Sequence, residues 1–130
     1  MGRSCDVSVV RLCVKDRCEQ ILRWLKHEYP CGRVVKIGWR KQLGGKKPYD
    51  GETTRRGKTL WIMLSRRECS TYKYAIDTVI HEYAHCIQWG MATIETNDKV
   101  PHHPPSFWAQ YGEIRDRFDH DNGSEESRDF

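Results

Sequence analysis

Tyr74-Ala75-Ile76-Asp77-Thr78-Val79-Ile80-His81-Glu82-Tyr83-Ala84-His85-Cys86-Ile87 is the stretch on which the reading of this 130-residue chain turns. Apolar residues recur through it, no proline interrupts it, and Gly90 is suited to the position just past a helix end. The stretch therefore predicts a helix. On a helix of 3.6 residues per turn, His81 and His85 stack on one face, so both imidazoles can reach one zinc ion at roughly 2.0–2.1 Å. Glu82 lies about 100° further round. That is too far to ligate, but it suits a general base that holds a water molecule and takes its proton. The plainer alternative is a pair of solvated histidines on a core helix. Their apolar neighbours Ile80, Tyr83, Ala84 and Ile87 argue instead that they face inward.

A catalytic zinc needs a third protein ligand and an open position, whereas a structural zinc closes with four. Two histidines lie downstream, His102 and His103. Residues 104–118 predict a second amphipathic helix, with Phe107, Tyr111, Ile114 and Phe118 on its buried face and Pro104 and Pro105 in its first turn. Carrying that face back one turn reaches His103 rather than His102. His103 is thus the preferred third ligand, and His27 and His120 read as solvated.

These residues resemble the SprT-like metallopeptidases, relatives of the Spartan proteases. The resemblance rests on His81-Glu82-x-x-His85 followed eighteen residues later by His103-Pro104-Pro105-Ser106-Phe107-Trp108. It is extended by Lys58-Thr59-Leu60-Trp61-Ile62-Met63-Leu64-Ser65, which is similar to the family's strand before the active-site helix. It spans roughly residues 15 to 118. The YgjP-like metallopeptidases, a sister group, share the His-x-x-x-Phe-Trp ending but have a shorter gap before it. Pro104 stands where the SprT-like family often has glycine, a departure that removes no ligand. The resemblance implies a small zincin-like domain and a zinc metalloendopeptidase whose protein substrates include DNA-associated proteins. It also implies that an extended substrate pairs with an edge strand beside the cleft, which would put the substrate rail near Leu60 to Ser65. Oxyanion donors are not fixed by the sequence; Tyr111, Tyr83 and Tyr74 are candidates by residue type alone.

The rest of the chain fits an α+β fold. Asp16 can cap a first helix with Glu19 three residues on, and Cys18, Ile21, Leu22, Leu25 and Tyr29 trace its apolar stripe before Pro30 ends it. Val7 to Val14 reads as a strand or as an extension of that helix. Val35, Ile37 and Trp39 alternate, as do Leu60, Ile62 and Leu64, predicting two strands joined by a long connection that includes the glycine- and charge-rich segment Gly44 to Gly57. The expected organisation is one domain over residues 1–118 and an acidic, disordered tail over 119–130.

Charge is unevenly placed. Removing the tail's net −4 from the chain's +4 leaves +8 on residues 1–118. Eleven basic residues lie between Arg33 and Arg67 against Asp50 and Glu52, interleaved with Trp39, Tyr49 and Trp61. A polyanion is therefore an expected partner, with Lys46, Lys47, Arg55 and Arg56 the candidate nucleic-acid contacts and Tyr49 the aromatic freest to stack. The alternative for this charge is an ordinary solvated face. No apolar run approaches the roughly 20 residues of a membrane span and no signal-peptide core is visible, so the expectation is an intracellular protein, cytoplasmic or nucleoid/nuclear, with no membrane partner. The six cysteines include no Cys-x-x-Cys pair and read as reduced thiols, with Cys86 rotated away from the histidines and packed in the core. Two other function classes stay open. One is a metal-dependent nuclease of the YbeY-like kind, which has glycine where Glu82 stands; the other is a non-catalytic, zinc-stabilised nucleic-acid-binding module, which has no use for Glu82. A peptide deformylase would need an upstream cysteine ligand that is missing.

Overall fold

The computed structural model describes residues 13–89 and 103–122. Along them run α1 (Val14–Glu28), β1 (Val34–Arg40), β2 (Gly51–Arg56), β3 (Thr59–Ser65), α2 (Tyr72–Ile87) and α3 (Pro105–Asn122). The architecture is α+β, with one three-stranded mixed sheet in the order β1-β3-β2. Central β3 pairs parallel with β1 and antiparallel with β2.

Strand alternation sorts the sheet into two faces. Val35, Ile37, Leu60, Ile62 and Leu64 point to one side, in a buried cluster with Ile21 and Leu25 of α1, Ile76 and Val79 of α2, and Phe107, Ile114 and Phe118 of α3. The other side carries Lys36, Trp61 and Thr54 in one cross-strand row. Trp39 is partly buried against the core, as its alternation suggests, whereas Trp61 lies on the side away from it.

The two strands expected from alternation are present, but the segment between them is not simply a connection: it contains β2. The sequence Gly-Glu-Thr-Thr-Arg-Arg has no apolar residue to alternate, so its strand is specified by pairing rather than by burial. A two-residue turn, Gly57-Lys58, joins it to β3 and uses the left-handed conformation of Gly57, φ 62°. α1 begins at Val14 and is capped by Cys13, whose sulfur accepts from the Asp16 N–H at 3.5 Å. Asp16 is therefore not the cap. It sits in the first turn, where its negative charge suits the positive end of the helix dipole. Of the segment read as a strand or a helix extension, residues 7–12 lie outside the described residues.

α3 also departs from expectation. It runs past Phe118 to Asn122, taking in the first four residues assigned to the acidic tail. Arg115–Asp119 and Arg117–Asp121, each one turn apart at 3.3 Å, explain the extension: the acids pair with arginines on the preceding turn instead of repelling one another. Residues 123–130 lie outside the described residues. Among those that are described, no helix is long and apolar enough to cross a membrane.

Candidate metal centre

α2 starts where the Thr71 hydroxyl accepts from the Tyr74 N–H at 3.4 Å, and it buries Ala75, Ile76, Val79, Ile80 and Tyr83. Tyr83 fixes its rotation further by donating its hydroxyl to the carbonyl oxygen of Tyr29 at 2.7 Å, at the end of α1. With that face committed to the core, His81 and His85 fall together on the half-buried edge turned toward α3. The end of α2 is tied to the start of α3 by Gln88, whose Nε2 donates to the Ser106 carbonyl at 3.1 Å. His103 lies two residues before α3 begins. It is not part of the helix, but the turn closed by Phe107 N–H on the Pro104 carbonyl at 2.8 Å holds it over α2.

The three histidines expected as ligands therefore converge. His103 Nε2 lies 3.1 Å from His81 Nε2 and 3.3 Å from His85 Nε2, and the three candidate ligand atoms are all within 4.8 Å of one another. A tetrahedral zinc bound at roughly 2.0–2.1 Å holds its ligand nitrogens roughly 3.3 Å apart, so spacing and donor type both fit. Burial, with His103 beside it, holds the His81 imidazole below its ordinary pKa, which favours the neutral form that a metal needs. Phe107 stacks on His85 at 4.4 Å between ring centroids, and Trp108 lies 5.2 Å from His103 with half its surface exposed. His102 lies outside the described residues. His27 and His120 are solvated at the surface, as expected.

Glu82 is buried beside this cluster, with one carboxyl oxygen, Oε2, 4.0 Å from His81 Nε2. The other, Oε1, accepts from the Thr53 hydroxyl of β2 at 2.7 Å. Burial pushes the carboxyl up to about 7, partly offset by that hydrogen bond. A group poised there takes up and gives back a proton readily near neutral pH.

The three tyrosines proposed by type separate clearly. Tyr83 is committed to Tyr29, Tyr74 is exposed near the start of α2, and Tyr111 stands beside the site with its ring 6.0 Å from His81. The Tyr111 hydroxyl donates to Asp77 Oδ1, one turn before His81 on α2. Cys86 is buried in the core, as its rotation away from the histidines predicts.

The substrate rail inferred for Leu60 to Ser65 does not stand. β3 is the central strand, with both its edges already hydrogen-bonded to β1 and β2. The sheet edge that lies against α2 belongs to β2, the strand that sequence alternation cannot reveal. Thr53 is hidden from sequence for the same reason; the local sign of its strand is the β-branched pair Thr53-Thr54 within a charged run.

The four candidate nucleic-acid residues do not form one surface. Lys46 and Lys47 sit in an exposed turn closed by Lys47 N–H on the Gly44 carbonyl at 3.1 Å. Arg55 and Arg56 are neighbours on β2 and so lie on opposite faces of the sheet. Arg56 lies 5.7 Å from the Trp61 ring centre and Lys36 lies 5.8 Å from it. Tyr49 donates its hydroxyl to Glu52 Oε1 at 2.6 Å, so it is tethered rather than free to stack. Comparison of the chain with family models, with curated proteins and with solved structures yields no match.

Proposed function

We propose that this chain is a zinc-dependent metallopeptidase of the zincin type, in keeping with its resemblance to the SprT-like family. The observation that carries the reading is the convergence of three imidazole nitrogens at zinc-ligand spacing, with a buried glutamate directed at them. His81, His85 and His103 would hold the ion. When bound, zinc supplies Lewis acidity toward a peptide carbonyl and acidifies water. Glu82, through Oε2, accepts a proton from the attacking water and later returns it to the leaving amine. Phe107 fixes the plane of His85, and the aromatic wall of Phe107 and Trp108 limits water around the ligands. Tyr111, beside the ligands, is the tyrosine best placed to donate to a developing oxyanion once its hydroxyl turns from Asp77. β2 offers an outer sheet edge beside the site, where the backbone of an extended polypeptide can pair.

Proteins bound to DNA are the proposed substrates. The cationic pair Lys36 and Arg56 around Trp61 supports this, as a patch able to meet phosphate and a base together. The zinc-loaded protein is expected to cleave a basic DNA-binding protein, faster when DNA is added. Glu82→Gln should lower that cleavage by about 10²-fold or more while metal content and melting temperature hold. Near-normal cleavage by the variant would remove Glu82 as the base. Absence of cleavage by the parent would leave the metal to a structural role.

A further inference from the structure

We propose that Thr53 is the positioning residue for Glu82, fixing from the edge strand the rotation of its carboxyl so that one oxygen faces the histidines; this rests on the peptidase reading above. A glutamate carboxyl turns about a broad terminal torsion, so burial alone does not fix its rotation. The Thr53 hydroxyl does. It donates to Oε1 at 2.7 Å, leaving Oε2 toward His81, and its oxygen also lies 3.2 Å from the Glu82 carbonyl oxygen. Thr53 is therefore in register with both the side chain and the backbone of the residue it orients.

The approach of β2 to α2 that allows this contact is built in two residues away. A Cβ on Gly51 would stand 2.7 Å from Thr78 Cγ2 and 3.0 Å from the Met63 carbonyl oxygen, so β2 lies closer to α2 than any side chain there permits. Gly51 and Thr53 share one face of the strand, and Thr78 and Glu82 share one face of the helix. Two residues of strand rise roughly 6.6 Å and four residues of helix roughly 6 Å, so the two pairs stay in step where the elements meet. A glycine permits the contact at one rung, and a threonine hydroxyl delivers it at the next.

Thr54 supplies an internal control. It lies on the opposite face of β2, across from Trp61, and its buried hydroxyl has no hydrogen-bond partner among the described residues. The experiment compares Thr53→Val, Thr53→Ser and Thr54→Val in the zinc-loaded protein, alongside the parent and Glu82→Gln. Thr53→Val is expected to lower kcat roughly tenfold or more, since a misplaced reacting group costs about that much or more, with KM unchanged within about twofold. Thr53→Ser should recover kcat to within about threefold, and Thr54→Val should match the parent. If the parent cleaves and Glu82→Gln does not, yet Thr53→Val keeps full kcat, the positioning role is overturned and the peptidase reading stands. Equal losses in Thr53→Ser and Thr53→Val, or a lowered melting temperature with kcat intact, would make the contact a packing device and overturn the proposal. A parent as inactive as Glu82→Gln removes the peptidase reading and the proposal with it.

Discussion

The two walls of the candidate site are held in place by different forces. The α2 wall carries His81, Glu82 and His85 on a helix whose other face is sunk in the core through Ile76, Val79, Ile80 and Tyr83. The β2 wall has no apolar residue at all, and it stays where it is through backbone pairing with β3 and a close approach to α2 at Gly51. Burial fixes the first wall, since turning α2 would expose several apolar side chains worth about 1.5–3 kcal/mol each. Backbone hydrogen bonds contribute only about 0.5–1.5 kcal/mol each, so the second wall is fixed by many small terms and by shape. Two of the three candidate ligands, and Glu82 with them, thus sit on the wall that burial holds, while Thr53 sits on the wall held by pairing and His103 reaches the site from the turn before α3.

The sharpest way to break this contrast is to remove a ligand. Purified parent protein should carry about one zinc per chain, and His103→Ala should weaken zinc binding by more than about 100-fold, beyond the 10–100-fold typical of losing an outer partner. His102→Ala should leave binding unchanged, as read by metal content and competition with a chelator. Equal losses at the two positions would mean that the third ligand has been misassigned.

A smaller effect is expected on the β2 wall. Gly51→Ala inserts a methyl group against Thr78 and the Met63 carbonyl, and it should destabilise the fold by about 1–3 kcal/mol in a denaturant titration. Zinc content should remain that of the parent, because no ligand rests on β2. If Gly51→Ala lowered zinc affinity as much as His103→Ala does, the two walls would not be separable.

The smallest effect, per residue, concerns the charged surface. Each phosphate neutralised contributes a slope of about −0.9 in log affinity against log salt for duplex DNA, or about −0.7 for single strands. Replacing Lys46, Lys47, Arg55 and Arg56 together should flatten that slope, with zinc content unchanged. Because Arg55 and Arg56 lie on opposite faces, the single variants sharpen the test: Arg56→Ala, beside Trp61, should account for more of the change than Arg55→Ala. Parent-like binding by the quadruple variant would reduce this charge to a solvated surface.

What the sequence determined by itself is the part governed by local periodicity. Helical spacing placed His81 and His85 on one face and Glu82 beside them, alternation placed Val35, Ile37, Leu60, Ile62 and Leu64 toward the core, and the apolar face of α3 pointed back to His103. Each of these is set by geometry within a few residues, so the residue pattern carries it. Only the tertiary structure decided the rest. β2 has no periodic pattern because its partner β3 supplies the pairing, and β3 became central, closed to a substrate, once β2 took its second edge. The four acidic-tail residues that joined α3 did so through arginines one turn earlier. Thr53 meets Glu82 across 29 positions of sequence, through a packing distance that Gly51 permits and no local rule records. Such contacts depend on how two elements dock, and docking is fixed by the shape of the whole core rather than by the residues on either side of the join.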